Sequence, residues 1–416
     1  MRLARRDLLL TVMAASLLPA APRIVAAEMV EDEALDAFGG RFRAPALQDR
    51  VADIGQRIVD AEAGDAMRVS VTLLDSDRVN AAAQPDGRTM VTRGLLALAR
   101  SEAELASVLA HEVGHVVAGH AGQRAGRPAG MAGAPARAAF DRAQELEADR
   151  IGISGMARAG YDPAAAVAFL ARLDAWHRLD AALAGRPELA LAVANGGDHP
   201  EIPDRLAAAR ALVAALPRGE TGEAAWLDAV EGLPWGEGPG QIAFRGRAVI
   251  DPAARFRWEA PPGVLLSHRR RSVLGSGPDD SVIVFDQSVQ PEMLPARAAL
   301  DQWGAAMGGV RDVEAGDLGG FAAAWGLARP PGASEAWEAV LAVIETSAER
   351  RDRFLVLTRT GSPVAAAMRR AVGSFRRIGA AEAAAVRPLR LAVVPVRRRD
   401  TVAGLVARMR GEAAEA

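Results

Sequence analysis

Two histidines and a glutamate within one apolar stretch have the residue types and the spacing of a metal site. His111 and His115 are four residues apart, and Glu112 directly follows the first of them. Apolar residues recur around them at three- and four-residue steps, which predicts a helix over residues 101–120. The apolar residues in this pattern are Leu105, Val108, Leu109, Val113 and Val116. Residues i and i+4 lie on one face of a helix, so both imidazoles can bind one zinc ion while Glu112 acts as a general base on water.

A third ligand is predicted further along the chain. Glu145 and Asp149 are again four residues apart, on a second predicted helix over residues 138–159. One of the two carboxylates can bind the metal while the other accepts a hydrogen bond from the free N–H of a ligand histidine. A solvated acidic helix face is the alternative explanation. The chain contains no cysteine, so any metal must be bound by histidine, aspartate or glutamate, and a disulfide framework is excluded.

The composition limits the number of domains and the kinds of partner. A chain of 416 residues is too long for one average domain and predicts two, with appendages. Its 50 basic and 52 acidic residues leave a net charge of −2, so no overall field favours nucleic acid or an anionic membrane. We therefore expect no nucleic-acid partner.

The first 27 residues have the features of a secretory signal peptide. A basic start with Arg5 and Arg6 precedes a short apolar run, and the small residues at 25–27 offer a cleavage site. The apolar run is too short to span a bilayer. The pair Arg5-Arg6 is similar to a twin-arginine export signal, and the general secretory (Sec) route is the alternative. The sequence thus predicts a periplasmic protein.

The residues before the metal helix predict a small sheet. Periodicity predicts a helix within residues 28–63 and a strand over residues 67–74. A Pro-x-Gly turn at residues 85–87 predicts a hairpin, and a short helix is predicted over residues 93–99.

These motifs, in this order, resemble peptidase family M48, a family of zinc metallopeptidases with HtpX-like, BepA-like and CaaX-prenyl-protease-like members. The resemblance extends over residues 40–210, and it implies a mainly helical zincin fold of the gluzincin type with a small sheet. The motifs that carry it are Asn80-Ala81, Pro85-x-Gly87, Val91-Thr92-Arg93-Gly94-Leu95, Glu104-Leu105-Ala106, His111-Glu112-Val113-Gly114-His115, Glu145-x-Glu147-Ala148-Asp149 and His199-Pro200 with Arg205.

The resemblance implies a role for each residue of the central motifs. His111, His115 and Glu145 would hold one Zn²⁺ per chain. Glu112 would take a proton from water and pass it to the leaving amine, and Asp149 would orient a ligand histidine.

The later histidines receive different roles. By the same resemblance, His199 would be either an inhibitory extra ligand or a helper in catalysis, and Arg205 would lie behind the ligands. His120 is five residues beyond His115 and off the ligand face of a straight helix, so we expect a structural or surface residue. His177 is expected on an exposed helix face.

The predicted function is that of a zinc-dependent endopeptidase of the bacterial cell envelope. The stretch Arg88, Thr89, Met90 and Val91 is predicted to offer a sheet edge on which an extended substrate adds as a strand. The resemblance implies unfolded or misassembled envelope proteins as substrates, in protein quality control. The alternative is an envelope chaperone or assembly factor in which binding matters more than proteolysis; the presence of Glu112 argues against a pure scaffold. A structural zinc site is disfavoured because such sites usually have four protein ligands.

The sequence predicts an α+β protein in five segments. They are a signal peptide (1–27), a peptidase domain (28–216), a Gly/Pro-rich linker (217–245), an accessory domain (246–385) and a tail (386–416). Strand and helix patterns in the accessory domain predict a mainly antiparallel sheet with two helices, similar to PsbP-like domains. The tail resembles the first strand and helix of a LysM unit, but Arg399 stands where that unit has Gly, so a working sugar-binding module is not expected. Peripheral association with the outer membrane or peptidoglycan is left open. The oligomeric state is left open.

Overall fold

The computed structural model describes ten stretches of the chain, in two compact units. The first unit is Gly40–Gly238 with Leu389–Arg410, and the second is built on Pro239–Pro388. The predicted signal peptide lies outside the described residues. In the stretches described, no helix combines the length and apolar content needed to cross a bilayer. The stretches are 40–62, 64, 68–84, 86–125, 134–183, 202–238, 241–269, 272–288, 294–329 and 337–409.

In the described residues of Gly40–Gly238, the first unit contains a three-stranded sheet and eight helices. The strand order is β1-β3-β2, with β1 parallel and β2 antiparallel to β3. The hairpin prediction is confirmed, and Gly87 at its turn has a φ of 87°, a conformation that favours glycine. The elements are α1 (Pro45–Glu62), β1 (Ser70–Leu74), β2 (Ala81–Ala83), β3 (Arg88–Thr92), α2 (Arg93–Leu98), α3 (Glu102–Val117), α4 (His120–Ala125), α5 (Ala134–Arg158), α6 (Ala164–Leu183), α7 (Ile202–Val213) and α8 (Glu223–Val230), followed by a short strand β4 (Pro234–Trp235).

The helix that carries the histidine motif begins and ends with local capping interactions. The Ser101 hydroxyl accepts a hydrogen bond from the backbone N–H of Glu104 at 3.1 Å, as expected of an N-cap serine. At the other end Gly119 has a left-handed φ of 67°. A glycine in this conformation is a common helix terminator, and α3 therefore stops at Val117 rather than continuing through His120.

Helices α3 and α5 cross with their backbones in contact, and two glycines make this approach possible. A Cβ atom added at Gly114 of α3 would lie 2.6 Å from the carbonyl oxygen of Ala148 in α5. A Cβ atom at Gly152 of α5 would lie 2.6 Å from the carbonyl carbon of Ala110 in α3. Each position therefore accepts only a residue without a side chain. The crossing brings the middle of α5 directly against the histidine motif.

The residues predicted to begin a linker belong instead to the first unit. Helix α8 places Trp226 in the core with no exposed surface, and its indole N–H donates to the carbonyl oxygen of Ala99 at 2.9 Å. The predicted linker over residues 217–245 is thus wrong for residues 223–230, because burying a tryptophan with its N–H satisfied fixes this segment to the core. The Gly/Pro content that suggested a linker reflects the turns around the helix.

A fully buried arginine ties β4 to the same unit. Arg93 donates to the Asp75 carboxylate at 2.9 Å and to the carbonyl oxygens of Pro234 at 2.6 Å and Gly236 at 2.8 Å. Since a buried guanidinium needs partners for its donors, these bonds anchor the segment around β4.

The second unit is α+β, and its largest sheet is antiparallel with seven strands. The order is β11-β12-β13-β14-β10-β9-β8, and a four-stranded sheet has the order β15-β7-β6-β5. The predicted α+β class is confirmed, whereas the similarity to PsbP-like domains stays a prediction. The elements are β5 (Ala243–Arg245), β6 (Ala248–Asp251), β7 (Phe256–Glu259), β8 (Leu265–Arg269), β9 (Ser272–Ser276), β10 (Val282–Ser288), α9 (Ala296–Ala306), β11 (Val310–Asp317), β12 (Ala322–Ala328), β13 (Trp337–Ser347), β14 (Arg350–Arg359), α10 (Ala365–Gly373), β15 (Arg376–Arg377) and α11 (Ala380–Ala385).

The seven-stranded sheet buries both of its faces. One face packs on α9, through Leu300 and Trp303. The other carries an aromatic cluster that includes Phe285 and Phe354, whose ring centroids are 4.8 Å apart. Burial on both faces explains the near-continuous apolar run of β13.

A buried ion network lies at one end of this sheet. The Arg350 guanidinium donates to Asp352 at 2.8 Å and to Asp251 at 3.0 Å. Asp352 has no exposed surface, and this burial raises the pKa of its carboxyl to about 6, although the hydrogen bond and charge of Arg350 act in the opposite direction.

The chain returns to the first unit after the second. Strand β16 (Leu389–Arg390) pairs antiparallel with β4, and a short helix α12 (Val402–Val406) follows. Six large apolar residues of this tail are exposed: Val393, Val394, Val396, Val402, Val406 and Met409. The resemblance to a LysM unit stays a prediction.

Candidate metal centre

The structure brings the three predicted ligands to one point. The Nε2 atoms of His111 and His115 are 3.1 Å apart. One carboxylate oxygen of Glu145 lies 3.2 Å from Nε2 of His111, and the other lies 3.3 Å from Nε2 of His115. All three residues belong to the crossing of α3 and α5 described above. Within the described residues they form a group whose ligand atoms are close enough to hold one metal ion.

These separations fit a zinc ion. Nitrogen and oxygen ligands bind zinc at about 2.0–2.1 Å, so any two of them in a tetrahedral arrangement are about 3.3 Å apart. The observed contacts of 3.1–3.3 Å match this spacing. Two imidazoles and one carboxylate are also a donor set found in catalytic zinc sites, which keep a fourth position for water or substrate.

Asp149 and Arg205 lie behind His111. Asp149 Oδ1 is 2.7 Å from Nδ1 of His111, the nitrogen that faces away from the other ligands. The guanidinium of Arg205 on α7 donates two hydrogen bonds, of 2.7 and 2.8 Å, to the same carboxylate. Both residues are buried, so the contact holds the imidazole in one orientation.

The charges around His111 shift the pKa of both members of this pair. Burial raises the pKa of Asp149, but Arg205 and His111 outweigh it and hold that pKa well below its usual range. Burial and Arg205 lower the pKa of His111, whereas Asp149 and Glu145 raise it, and in the metal-free site the result is about 9. Zinc competes with a proton for this imidazole, since a ligand histidine must be neutral.

Glu112 is buried beside the edge of the small sheet. One of its carboxylate oxygens accepts a hydrogen bond from the backbone N–H of Ala83 at 3.1 Å. Ala83 belongs to β2, one of the two edge strands. The predicted base and a sheet edge are thus in direct contact, which the sequence did not indicate.

The predicted substrate-binding stretch is not a sheet edge. Strand β3, with Arg88, Thr89, Met90 and Val91, is hydrogen-bonded to β1 on one side and to β2 on the other. Its backbone groups are therefore already paired, and no further strand can add to it. The prediction is wrong because the parallel pairing with β1 places β3 in the middle.

His120 is the functional candidate that sequence reasoning missed. It is 1% exposed, and its Nδ1 is 2.7 Å from Nδ1 of His115. The prediction of a position off the ligand face assumed a straight helix. Because the chain turns at Gly119, His120 begins a new helix and meets the side of His115 away from the other ligands. Gly119, directly before His120, is the sequence feature that could have predicted this turn. His199 lies outside the described residues.

A comparison with protein-family models finds one family that matches the stretch containing the site. The model for peptidase family M48 matches residues 45–132 and 128–213, the stretch that contains all three ligands. Residues 45–213 form a family M48 metallopeptidase domain. The M48 match ends before the second unit, whose fold and role it does not address.

Curated relatives match part of this chain. A putative beta-barrel assembly-enhancing protease of Vibrio cholerae is 32% identical over 161 residues, which is 31% of this chain and 33% of that protein. The beta-barrel assembly-enhancing protease of Escherichia coli K12 is 30% identical over 160 residues, with the same coverage of 31% and 33%. The mitochondrial metalloendopeptidase OMA1 of Arabidopsis thaliana is 35% identical over 112 residues, 22% of this chain and 23% of that protein. The chain thus spans about a third or less of the length of these relatives.

Proposed function

We propose that this protein is a zinc-dependent endopeptidase that cleaves unfolded or misassembled proteins of the bacterial cell envelope. The observation that carries the proposal is the convergence of His111, His115 and Glu145, with contacts of 3.1–3.3 Å, beside the buried carboxylate of Glu112. Three protein ligands with a base next to them suit hydrolysis better than a purely structural metal site.

Different side chains would bind the metal, transfer the proton and orient a ligand histidine during hydrolysis. Zinc held by the three ligands would polarise the scissile carbonyl and acidify water. Glu112 takes the proton from the attacking water and delivers it to the leaving amine. Asp149 and Arg205 hold His111 in place throughout, so the ligand set does not reorganise during the reaction.

Substrate binding is proposed for β2 in place of β3. An extended peptide can add along the side of β2 that does not face β3, through backbone hydrogen bonds, which gives affinity with little sequence preference. The contact between Ala83 and Glu112 would bring a peptide bound there close to the base. Loose preference suits a protease that recognises unfolded chains.

The envelope role draws on the N-terminal sequence and on the relatives. Residues 1–27 have the pattern of an export signal, and two relatives are named for enhancing beta-barrel assembly. We place the protein in the periplasm, in quality control of exported proteins. A reporter that is active only after export, fused behind residue 27, should be active in the envelope; a reporter retained in the cytoplasm would refute this location.

Casein cleavage by the zinc-loaded full chain tests the proposed activity. Replacement of Glu112 by Gln should lower kcat by about a hundredfold or more, the usual contribution of a general base. Glu223→Gln, an exposed substitution on α8, is the matched control and should leave the rate unchanged. Cleavage that persists in Glu112→Gln would refute the mechanism. A wild-type protein that binds unfolded chains without cleaving them would favour the chaperone alternative.

A further inference from the structure

The two ligand histidines are supported by different partners. Asp149 contacts Nδ1 of His111, and Arg205 holds Asp149 in place through two hydrogen bonds. Nδ1 of His115 is instead 2.7 Å from Nδ1 of His120. The other ring nitrogen of His120 is 3.3 Å from a carboxylate oxygen of Glu147. A chain of contacts therefore runs from the metal site through two imidazoles to a carboxylate.

The chemistry at the two ends of this chain fixes the position of every proton in it. Nε2 of His115 points at the metal site and must carry its lone pair there, so a neutral His115 has its proton on Nδ1. That N–H donates to Nδ1 of His120, which must then be the acceptor. The remaining proton of His120 is on Nε2 and donates to Glu147, since an ionised carboxylate only accepts.

We propose that His120, held by Glu147, is a positioning residue that fixes the tautomer and ring orientation of His115 for zinc. The inference rests on the proposed function in one respect only, that zinc is the metal. Burial supports it: His120 is 1% exposed, so water does not compete for its contact with His115. The side chain of Glu147 is 48% exposed, so its contribution should be the smaller one.

Zinc affinity of the full chain, measured by competition with a chelating dye, tests the proposal. His120→Leu removes the acceptor, and zinc should bind about 10–100-fold more weakly, as is usual when the partner of a ligand histidine is lost. His120→Asn places an amide oxygen near the position of Nδ1 and should restore most of the affinity. His177→Leu, a half-buried histidine on α6, is the control and should bind zinc like the wild type.

Magnetic resonance of ¹⁵N-labelled histidine rings in the zinc-loaded protein provides a second readout. A hydrogen bond of 2.7 Å should shift the Nδ1–H proton of His115 strongly downfield. The signal should be lost in His120→Leu and kept in His120→Asn. Glu147→Ala changes an exposed residue, so it avoids disruption of the core; it should move the ring signals of His120 and weaken zinc less than His120→Leu does.

The outcomes separate this inference from the proposed activity. Wild-type zinc affinity together with an unchanged N–H signal in His120→Leu would overturn the inference. So would unchanged ring signals of His115 and His120 in Glu147→Ala, should His120→Leu not fold. A wild-type protein that binds zinc but leaves casein intact would remove the proposed activity alone, because neither readout here depends on proteolysis.

Discussion

Replacing Gly114 by alanine tests whether the metal site depends on the contact between α3 and α5. The new methyl carbon would lie 2.6 Å from the carbonyl oxygen of Ala148, where ordinary contacts begin at 3.4 Å. The two helices must therefore separate locally by about 0.8 Å, because backbone atoms cannot turn aside as a flexible side chain can. Glu145 is less than one turn before Ala148 on α5, so its carboxylate moves with the helix.

The expected cost follows from this displacement. Glu145 is 3.2 and 3.3 Å from the two imidazole nitrogens, a spacing that suits zinc only within a few tenths of an ångström. We expect zinc to bind at least about tenfold more weakly. A misplacement near 1 Å also lowers kcat/KM by about a hundredfold. Overpacking should destabilise the unit by about 1–3 kcal/mol, partly offset by the better helix propensity of alanine.

The assay combines zinc affinity, casein cleavage and thermal unfolding of the full chain. Gly152→Ala creates the corresponding clash from the other helix, 2.6 Å from the carbonyl carbon of Ala110, and should give the same three changes. Gly122→Ala on α4 is the control, because no atom lies within 4 Å of its added Cβ. If Gly114→Ala kept wild-type zinc affinity and wild-type kcat/KM, the crossing would not set the ligand geometry and the reasoning would be refuted.

Three further predictions concern the metal, the turn after α3 and the buried carboxyl of the second unit. Elemental analysis should find about one zinc per chain in Glu112→Gln and little in Glu145→Ala; full zinc in Glu145→Ala would assign the third ligand elsewhere. Gly119→Ala should lower the melting temperature, since a left-handed φ of 67° costs alanine about 1–2 kcal/mol, whereas Gly122→Ala in a helix should raise it; equal shifts would contradict this. Burial raises the pKa of Asp352 to about 6 in the folded state, from an ordinary value of 3.8, so the folded state binds the proton more tightly than the unfolded state does. The resulting stabilisation of about 3 kcal/mol is present below pH 4 and is lost as the pH rises through 6. Protection factors of the amides in β13 and β14, which correct the exchange rates for their intrinsic pH dependence, should therefore be lower at pH 8 than at pH 4, with a smaller difference in Asp352→Asn; an undiminished difference would remove Asp352 as the cause.

The elements that the sequence predicted well are those set by local periodicity. Helix α3 and its ligand face follow from apolar residues at three- and four-residue steps around His111 and His115. The hairpin follows from a turn of Pro-x-Gly type. In the second unit, short runs rich in apolar and β-branched residues indicated the strands β13 and β14.

The features that were missed depend on contacts between distant residues. The central place of β3 results from parallel pairing with β1, and strand order is not encoded in either strand alone. Strand β11 is mostly exposed, so it lacks the apolar pattern that marks a strand. The turn at Gly119 sets the position of His120. The contact of Trp226 with Ala99 fixes residues 223–230, predicted as part of a linker, to the core of the first unit.

The pairing of β4 with β16 makes the second unit an insertion into the first. The chain leaves the first unit just after β4 and re-enters it at β16, where Trp235 lies opposite Leu389 and Pro234 opposite Arg390. Residues opposite each other in an antiparallel pair are about 5 Å apart. The second unit therefore connects two adjacent points of the first unit, as a long loop would. The entropy of closing such a loop grows only with the logarithm of its length, about 0.6 kcal/mol for each doubling. The peptidase unit can therefore exchange this insert for a much longer or shorter one at little thermodynamic cost, as long as Arg93 continues to anchor the strand at which the insertion starts.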